Sequence, residues 1–409
     1  MYRARIGTAE YALKWYLPHY VSADPRLWDR LKRAIGNGPP NEKFLWPFDL
    51  VWQPQAHAVG GYLMPLKPVR FISLVDLLRR AVEPSFRTLA RVGFHLADSF
   101  FFLHASGLCY RDINFGNIFF EPESGDVRIG DTDNVDVNRK PGGIMGTWGF
   151  MAPEVGRRQA EPSAMTDRYS LAVLLFYIFM LGHPLRGARE NNLPYDPTDP
   201  DGSRRLCADE PVFVFDPQNE SNRPVPGIHD ALLNFWPVYP ESLHELFIRS
   251  FTVGLRDVDA RVMENEWRNE MCCLADSVFL CARCGAENFY DATRMRRKQG
   301  MAPCWACGNP LSLPPRMRIV STHHPNIVVL SPGLKLFPHH LGTDRYNFSI
   351  PVAQVLEKPL AIRNLSNVSW TSRRTEDASL LQVRPGETLE LHANCRINFG
   401  KAEGEVKVC

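Results

Sequence analysis

Three oxygen-bearing side chains lie in one short stretch of the sequence, between positions 110 and 133. Asp112 precedes Asn117 by five residues, and Asp131 follows after two short apolar runs. Phosphoryl transfer from a nucleotide needs one carboxylate to orient the acceptor hydroxyl, and an amide oxygen with a second carboxylate to hold magnesium against the phosphates. The stretch is therefore a candidate phosphoryl-transfer site. Taken alone, Asp and Asn at such positions more often cap turns, so further motifs must decide between the two interpretations.

The elements around these residues are predicted to bring them together. The apolar runs Ile118–Phe120 and Val127–Ile129 flank a turn at positions 124 and 125, which predicts a β-hairpin. Because the two strands of a hairpin begin and end side by side, Asp131 should return next to Asn117. Residues that are distant in sequence would then form one metal site.

At these residues the sequence resembles the catalytic loop and the metal-binding turn of Hanks-type protein kinases, which are usually written HRDxxxxN and DFG. The resemblance implies that Asp112 is the base or hydroxyl-positioning carboxylate, and that Asn117 and Asp131 bind magnesium. Asp133 would be either a further metal ligand or a solvated turn residue. The departures from the family pattern are Tyr110 for His, Asn114 for Lys, and Thr132-Asp133 for Phe-Gly.

Further matches to the same family follow in the expected order. The letters GT and APE, which end at Thr147 and Glu154, resemble the end of a protein-kinase activation segment, which small-molecule kinases lack. The resemblance implies that Thr147 lines the acceptor platform. It also implies that Arg261 pairs with Glu154, because an unpaired buried carboxylate is costly. Asp167 resembles the residue that opens the central helix of the C-terminal lobe and holds the catalytic-loop backbone.

The activation segment is poor in phosphorylation sites. In many kinases a phosphorylated residue of this segment bridges to the Arg before the catalytic Asp, and Arg111 occupies that position here. Between Asp131 and Glu154 the only hydroxyl residues are Thr132 and Thr147. We therefore expect control by something other than phosphorylation of the activation segment.

The N-terminal region resembles part of a kinase N-terminal lobe. Tyr2–Ile6 and Glu10–Tyr16 alternate around a turn and predict a hairpin. Lys14, in the letters YALK, resembles the strand Lys that contacts the α- and β-phosphates, although a lone strand Lys more often faces solvent. Met64, in YLMP, resembles the hinge that binds adenine through its backbone, and an ordinary core strand is equally compatible. The glycine-rich loop that should precede Lys14 is not present, so we expect a truncated N-terminal lobe.

A helix is predicted at Asp24–Ile35, with Asp24 as its N-cap and Pro25 at its first position. In protein kinases the equivalent helix offers a Glu to the strand Lys. Here it contains no Glu, and Asp29 is one methylene shorter. The partner of Lys14 is therefore left open.

Composition bounds the classes of function. A chain of 409 residues with 44% hydrophobic content can bury more than one core. A net charge of +2 gives no electrostatic case for binding nucleic acid or an anionic membrane. The longest apolar run, Leu171–Leu181, is too short to span a bilayer, and there is no basic-apolar leader at Met1. We expect a cytoplasmic protein.

Four of the ten cysteines form a metal-binding pattern. Cys281 and Cys284, then Cys304 and Cys307, are two Cys-x-x-Cys pairs separated by nineteen residues, and Gly follows the second Cys of each pair. This spacing is typical of zinc ribbons, in which four thiolates hold zinc tetrahedrally. Because all four ligands come from the protein, we expect a structural Zn²⁺. The basic run at 294–298 is more simply a solvated loop than a nucleic-acid contact.

From Met317 to Cys409 short alternating strands and Pro-Gly turns predict a β-sandwich. Part of this region is faintly similar to forkhead-associated domains, which bind phosphothreonine, but the residues that read the phosphate are not evident. The pairs at 323–324 and 339–340 are histidines that either ligate a metal or, more simply, are polar surface residues.

The sequence as a whole resembles a group of bacterial eukaryotic-like (Hanks-type) Ser/Thr kinases that are described as stand-alone and that carry zinc-ribbon tails. The resemblance implies an α+β, bilobal kinase-like fold, ATP with Mg²⁺ or Mn²⁺ as cofactors, and a protein substrate. Members are often encoded in tellurite- or stress-associated gene clusters, together with a metal-dependent phosphatase and a von Willebrand A-type protein. The resemblance therefore implies these two proteins as partners. The alternative is a pseudokinase scaffold without efficient transfer. The expected domains are a partial N-terminal lobe (1–66), a C-terminal lobe (67–277), a zinc ribbon (278–312) and a small all-β sandwich (313–409).

Overall fold

The computed structural model describes residues 1–53, 58–138, 145–192, 200–297, 299–320, 326–342, 344–373 and 380–408. The chain forms two compact units. The first contains Met1–Pro237 and Ser242–Met271, and the second contains Val238–Glu241 and Cys272–Cys409. None of the helices within the described ranges combines the length and the apolar character needed to cross a membrane.

Helices are concentrated in the first unit. Within the described residues the α-helices are α1 (Pro18–Ala23), α2 (Leu27–Asn37), α3 (Leu74–Leu78), α4 (Phe86–Ala105), α5 (Pro153–Gly156), α6 (Ala164–Met180), α7 (Pro200–Arg204), α8 (Asp230–Phe235), α9 (Glu241–Phe251), α10 (Glu264–Ser277) and α11 (Ala292–Arg296). The strands of the first unit are β1 (Tyr2–Ile6), β2 (Ala9–Trp15), β3 (Asp49–Gln53), β4 (Ala58–Pro65), β5 (Ile72–Ser73), β6 (Leu108–Cys109), β7 (Ile118–Phe120), β8 (Val127–Ile129) and β9 (Asp136–Val137).

The N-terminal sheet has the order β1-β2-β4-β3 and is antiparallel throughout. The predicted hairpin of β1 and β2 is present. Strand β3 begins at Asp49, and the segment before it pairs elsewhere: Phe44 bridges to Ile129, and the Leu45 N–H donates to the Ile129 carbonyl at 2.8 Å. This segment therefore ties the N-terminal sheet to the strand that precedes Asp131.

Helix α2 starts three residues later than predicted. Asp24 closes a turn instead of capping the helix, because its carbonyl accepts the Leu27 N–H at 3.1 Å and its carboxylate accepts the Arg26 N–H at 3.2 Å. The helix ends before Gly38, whose φ of 72° is in the left-handed region that favours glycine. Its buried residues are Leu27, Arg30 and Leu31.

The helical part of the first unit is built around α6. Ser163 and Thr166 form a capping box at its start, and nearly all of its residues are buried, as expected for the apolar run at 171–181. The segment at 191–223, which follows α6, also contributes to this core, since Phe213 is fully buried and its ring lies 5.7 Å from that of Phe176. Positions 193–199 of this segment lie outside the described residues.

The second unit is rich in short strands. They are β10 (Val278–Leu280), β11 (Glu287–Phe289), β12 (Arg316–Val320), β13 (Asn326–Val329), β14 (Lys335–Leu336), β15 (Ala353–Leu356), β16 (Ala361–Asn364), β17 (Trp370–Arg373), β18 (Leu380–Val383), β19 (Thr388–Glu390), β20 (Arg396–Asn398) and β21 (Glu403–Lys407). β10 pairs with β11, six strands form the sheet β13-β12-β21-β20-β17-β18, and four form β14-β15-β16-β19. Side chains from both larger sheets, such as Trp370 and Ile362, contribute to one buried cluster.

The prediction that His340 is a polar surface residue was wrong. His340 is not a surface residue: it is 6% exposed, its Nδ1 accepts the Phe337 N–H at 2.9 Å, and its Nε2 lies 3.1 Å from the Asp276 carboxylate. The histidine is therefore a hydrogen-bonded core residue. The other pair, His323 and His324, lies outside the described residues.

Candidate active site

The hairpin of β7 and β8 brings two of the predicted metal ligands together. Ile118 pairs with Ile129, and beyond that pair the Gly130 N–H donates to the Asn117 carbonyl at 2.8 Å. Asn117 and Asp131 therefore stand at the same end of the hairpin. Amide and carboxylate oxygens are the ligands that Mg²⁺ prefers, so the side chains present here fit that ion.

Asp112 lies next to this end of the hairpin and contacts the activation segment. The Asn117 side-chain amide donates to the Asp112 carbonyl at 3.0 Å, and the Thr147 hydroxyl donates to the Asp112 carboxylate at 2.7 Å. Asn114, which stands where a Lys is usual in the family, donates its amide to the Thr147 hydroxyl at 3.2 Å. The structure thus joins the carboxylate, the amide and the activation-segment hydroxyl in one hydrogen-bonded group.

The backbone of the catalytic loop is held in an unusual conformation. Arg111 has φ 75° and Asp131 has φ 49°, both in the left-handed region that side-chain-bearing residues rarely adopt. The carboxylate of Asp167, at the start of α6, accepts the N–H groups of Tyr110 and Arg111 at 2.5 and 3.0 Å. The Tyr110 hydroxyl donates to the Gly130 carbonyl. These bonds hold the loop and the metal-binding turn against one another.

Lys14 reaches the same turn from β2. Its ammonium contacts the Asp131 carboxylate and lies 2.9 Å from the Asp133 carboxylate. Burial disfavours the charged form of Lys14, but the two carboxylates outweigh burial and raise the pKa of the amine. Lys14 is therefore a partly buried cation within the site and not a solvent-facing strand residue.

Asp133 is buried, so it is not a solvated turn residue. It is 4% exposed, and its second carboxylate oxygen accepts the Tyr16 hydroxyl. Burial and the negative charge of Asp133 raise the pKa of Asp131, although Lys14 opposes this shift. The turn thus carries an excess of carboxylate over ammonium charge, which suits a site that receives a divalent cation.

The end of the activation segment is fixed by an ion pair between buried Arg261 and partly buried Glu154, whose side chains are 2% and 14% exposed. The Arg261 guanidinium donates to both carboxylate oxygens of Glu154 at 2.8 Å, and also to the carbonyls of Gly254 and Met165. A bidentate Arg–carboxylate pair of this kind fixes orientation as well as charge. The structure therefore places these two residues together as the family resemblance implies.

Arg111 faces a carboxylate that the sequence interpretation missed. Its guanidinium lies 4.0 Å from the buried Asp136 carboxylate, which also accepts a hydrogen bond from Arg33 of α2 at 3.0 Å. Asp136 follows Asp131 by five residues. It lies in β9, where it is paired with Cys109 of β6. The surplus of acidic residues at 131–136 was the sequence signal that could have indicated such a role.

A buried histidine behind the catalytic loop was also missed. His104 lies between two carboxylates, with Nε2 3.1 Å from Asp167 and Nδ1 2.7 Å from Glu264. Burial opposes protonation, but the two acceptors prevail and raise the pKa of His104 to about 9. The pKa of Glu264 falls to about 2, because His104 and Arg168 outweigh the burial of its carboxyl group. No local sequence pattern marks this contact, since its members are up to 160 residues apart.

The free energy of unfolding is expected to depend on the charge of His104. Its pKa in the folded protein lies above its ordinary value of 6.5, so its stabilising contribution is complete below about pH 6.5 and is lost as the pH rises through about 9. A shift of this size corresponds to on the order of 3 kcal/mol. Urea denaturation at several pH values across this window should show a steeper loss of stability in wild type than in His104→Gln. Parallel pH profiles of the two proteins would contradict the charged bridge.

Met64 lies in β4, the strand between β2 and β3. It is paired with Ala12 and is 3% exposed. Its position on a central strand agrees with both interpretations of the letters YLMP, so a hinge role for its backbone stays a prediction.

The four cysteines of the second unit converge on one point. Their sulfur atoms all lie within 4.8 Å of one another, with 3.9 Å between Cys281 and Cys307 and 3.7 Å between Cys284 and Cys304. Zinc at the usual Zn–S distance of about 2.3 Å separates tetrahedral sulfurs by about 3.8 Å. The cluster therefore has the dimensions of a four-thiolate zinc site.

The two cysteine turns have the same backbone geometry. Gly285 and Gly308 have φ of 75° and 69°, which their lack of a side chain permits, and their N–H groups donate to the carbonyls of Cys281 and Cys304 at 2.8 Å. Asn288 donates its amide to the Cys304 sulfur at 3.5 Å. Such donors orient metal-binding thiolates.

Comparison with known proteins agrees with this geometry. Residues 61–215 match the protein kinase domain family. This segment contains the catalytic loop, the metal-binding turn and the APE letters, so the predicted likeness to protein kinases is confirmed for this part of the chain. Lys14 and Arg261 lie outside the match, and their place at the site depends on the structure.

The chain is similar to serine/threonine kinases of eukaryotes. It is 31% identical over 132 residues to CBL-interacting protein kinase 4 of Oryza sativa subsp. japonica, an alignment that covers 31% of this chain and 27% of the relative. It is 31% identical over 123 residues to ribosomal protein S6 kinase alpha-6 of Danio rerio, covering 28% of this chain and 16% of the relative. The probable serine/threonine-protein kinase C70.05c of Schizosaccharomyces pombe is 30% identical over 105 residues, covering 23% and 13%. The alignments thus span about a quarter or less of the relatives' own length.

Proposed function

We propose that this chain is a protein kinase that transfers the γ-phosphate of ATP to Ser or Thr hydroxyl groups of a protein substrate. The observation that carries the proposal is the convergence of Asp112, Asn117, Asp131 and Lys14 on one end of the β7–β8 hairpin from three segments: the loop before β7, the turn after β8, and β2. Little covalent chemistry is required of a kinase, so placing these groups correctly supplies most of the catalysis.

Each group has a role in this proposal. Asp112 accepts the hydrogen bond of the acceptor hydroxyl and takes up its proton as the oxygen attacks. Asn117 and Asp131 hold Mg²⁺, or Mn²⁺, whose charge would neutralise the phosphates. Lys14 binds the α- and β-phosphates, and the backbone near Met64 binds adenine.

The activation segment supports a protein acceptor. Thr147 is exposed and donates to Asp112, so a Ser or Thr side chain that lies along this segment could displace that bond and bring its own hydroxyl to the carboxylate. The bidentate pair of Glu154 with Arg261 holds the segment that follows Thr147. The similarity to serine/threonine kinases points to the same class of acceptor.

The function is tested by transfer of radiolabelled phosphate from ATP to a generic protein substrate and to the chain itself. Wild-type protein should produce phosphoserine or phosphothreonine, and Asp112→Asn purified in the same way is the control for contaminating kinases. Label on neither residue type, in the presence of Mg²⁺ or Mn²⁺, would contradict the proposal.

A second candidate is a pseudokinase scaffold that binds nucleotide or a partner without transfer. It is favoured by Asn114, which supplies an uncharged amide near Asp112 where the family usually has a Lys for the γ-phosphate. Binding of ATP by wild type together with equal, background-level transfer in wild type and Asp112→Asn would favour the scaffold.

Activity is expected without phosphorylation of the activation segment. Asp136 already gives Arg111 and Arg33 a carboxylate partner, where other kinases use a phosphate. Phosphatase-treated protein, shown by mass spectrometry to be unmodified at Thr132 and Thr147, should keep its full rate of transfer. A large loss of rate after treatment, restored by phosphate at either Thr, would contradict this expectation.

The second unit is proposed to bind partners. A structural Zn²⁺ at the four cysteines would stabilise the β10–β11 hairpin, and the two larger sheets would form a docking module of β-sandwich type. The proposed domains are the N-terminal lobe (1–66), the C-terminal lobe (67–277), the zinc ribbon (278–312) and the sandwich (313–409). The resemblance to the bacterial stand-alone group suggests stress signalling, with a metal-dependent phosphatase and a von Willebrand A-type protein as partners.

A further inference from the structure

Asp133 is a buried carboxylate to which the kinase motifs assign no role. One of its oxygens lies 2.9 Å from the Lys14 ammonium, and the other accepts the Tyr16 hydroxyl. Lys14 and Tyr16 are two residues apart in the β2 region, so their side chains point to the same face of the sheet. Both oxygens of Asp133 are therefore used by side chains from this one segment.

Helix α2 does not supply the carboxylate that protein kinases usually place against this Lys. The whole helix is described, and its one acidic residue, Asp29, is exposed, whereas Leu27, Arg30 and Leu31 form its buried face. Arg30 instead donates from its Nε to the backbone carbonyl of Asp133 at 2.6 Å. The helix thus holds the turn that carries Asp133, and does not hold the lysine.

We propose that Asp133 is the positioning residue for Lys14 and takes the part that a helix glutamate has in other protein kinases. This inference rests on the proposed function. Asp131 also contacts Lys14, but it is needed as a ligand of Mg²⁺ once the nucleotide binds. Asp133 then keeps the long, flexible Lys14 side chain directed at the phosphates. Tyr16 fixes the Asp133 carboxylate, and Arg30 fixes its backbone.

Four single variants and one double variant of the full chain test this assignment. Asp133→Asn should lower kcat/KM for ATP by about 10- to 100-fold, because it removes one charged hydrogen bond and misplaces the Lys14 ammonium. Asp29→Asn, which changes an exposed carboxylate on α2, is the matched control and should leave kcat/KM unchanged. The Mg²⁺ concentration for half-maximal rate should stay within about 2-fold of wild type in Asp133→Asn, whereas it should rise in Asp131→Asn.

A double-mutant cycle separates positioning through Lys14 from other roles. ATP affinity is measured by calorimetry for wild type, Asp133→Asn, Lys14→Met and the double variant. If Asp133 acts through Lys14, Asp133→Asn weakens binding about 10-fold in wild type and by less than about 2-fold in the Lys14→Met background. An undiminished effect in that background, or a raised Mg²⁺ requirement in Asp133→Asn, would overturn the assignment and indicate a metal ligand or a structural residue.

Three further outcomes keep the tests distinct. If Asp133→Asn does not fold, Tyr16→Phe replaces it, with an expected loss of about 3-fold in ATP affinity that likewise disappears in the Lys14→Met background. If wild type binds ATP but transfers no phosphate, the kinase proposal fails while the calorimetric cycle still decides the role of Asp133. Absence of ATP binding by wild type would overturn both.

Discussion

Asp112→Asn is expected to lower the rate of phosphoryl transfer by about 10²–10⁴-fold, the range typical of losing a positioned general base. Asparagine has nearly the shape of aspartate, but its amide cannot take up the proton of the acceptor hydroxyl. It can still accept the hydrogen bond that Thr147 donates at 2.7 Å. The local structure should therefore survive, and the loss should appear in kcat and not in the KM for ATP.

The contrast with Asn114→Lys sharpens this experiment. That change restores the residue usual in the family and removes an amide that bonds to Thr147. A gain or a moderate loss of rate in Asn114→Lys, beside a loss of at least about 100-fold in Asp112→Asn, is the expected pattern. An Asp112→Asn protein that keeps more than about a tenth of the wild-type kcat would show that Asp112 is not the base.

Removal of zinc is expected to unfold the segment from Cys281 to Cys307. Structural zinc contributes on the order of 10–16 kcal/mol to the folding free energy of a small domain. A hairpin with three residues in each strand, such as β10–β11, gains far less from its own core. Elemental analysis should find one Zn²⁺ per chain, and chelation should raise amide hydrogen exchange across this segment. Cys304→Ser should have the same effect, because serine does not replace a thiolate ligand.

Cys273→Ser provides the control for the zinc experiment. Cys273 is exposed in α10 and lies outside the four-sulfur cluster, so this variant should retain stoichiometric zinc and its normal exchange pattern. Wild-type protein without zinc, but with full exchange protection at 281–307, would contradict a structural metal site.

Local sequence patterns were sufficient to predict contacts between residues that belong to one short motif. The apolar runs on either side of a turn predicted the β7–β8 hairpin and hence the approach of Asp131 to Asn117. The spacing of the four cysteines predicted their convergence in the same way. In both cases short-range geometry decides the contact, so the sequence alone contains enough information.

Contacts between distant segments could not be predicted in this way. The sequence left two interpretations of Asp133 open, a metal ligand or a solvated turn residue. Only the tertiary structure shows that Lys14, 119 residues earlier, faces it. His104 gave no signal, since its two carboxylates come from the start of α6 and the start of α10. Phe44, which precedes β3, likewise bridges to Ile129 of β8, a contact that no local pattern marks.

The position of the nucleotide-bound cation is the most direct measure of whether this is a phosphoryl-transfer site. A crystal structure of the full chain with Mn²⁺ and a non-hydrolysable ATP analogue, with the manganese located by anomalous scattering, should show the ion at about 2.0–2.3 Å from side-chain oxygens of Asn117 and Asp131. The Lys14 ammonium should contact the α- or β-phosphate. Manganese and nucleotide bound elsewhere, with Asn117 and Asp131 making no contact to the ion at saturating ligand, would contradict the proposed function.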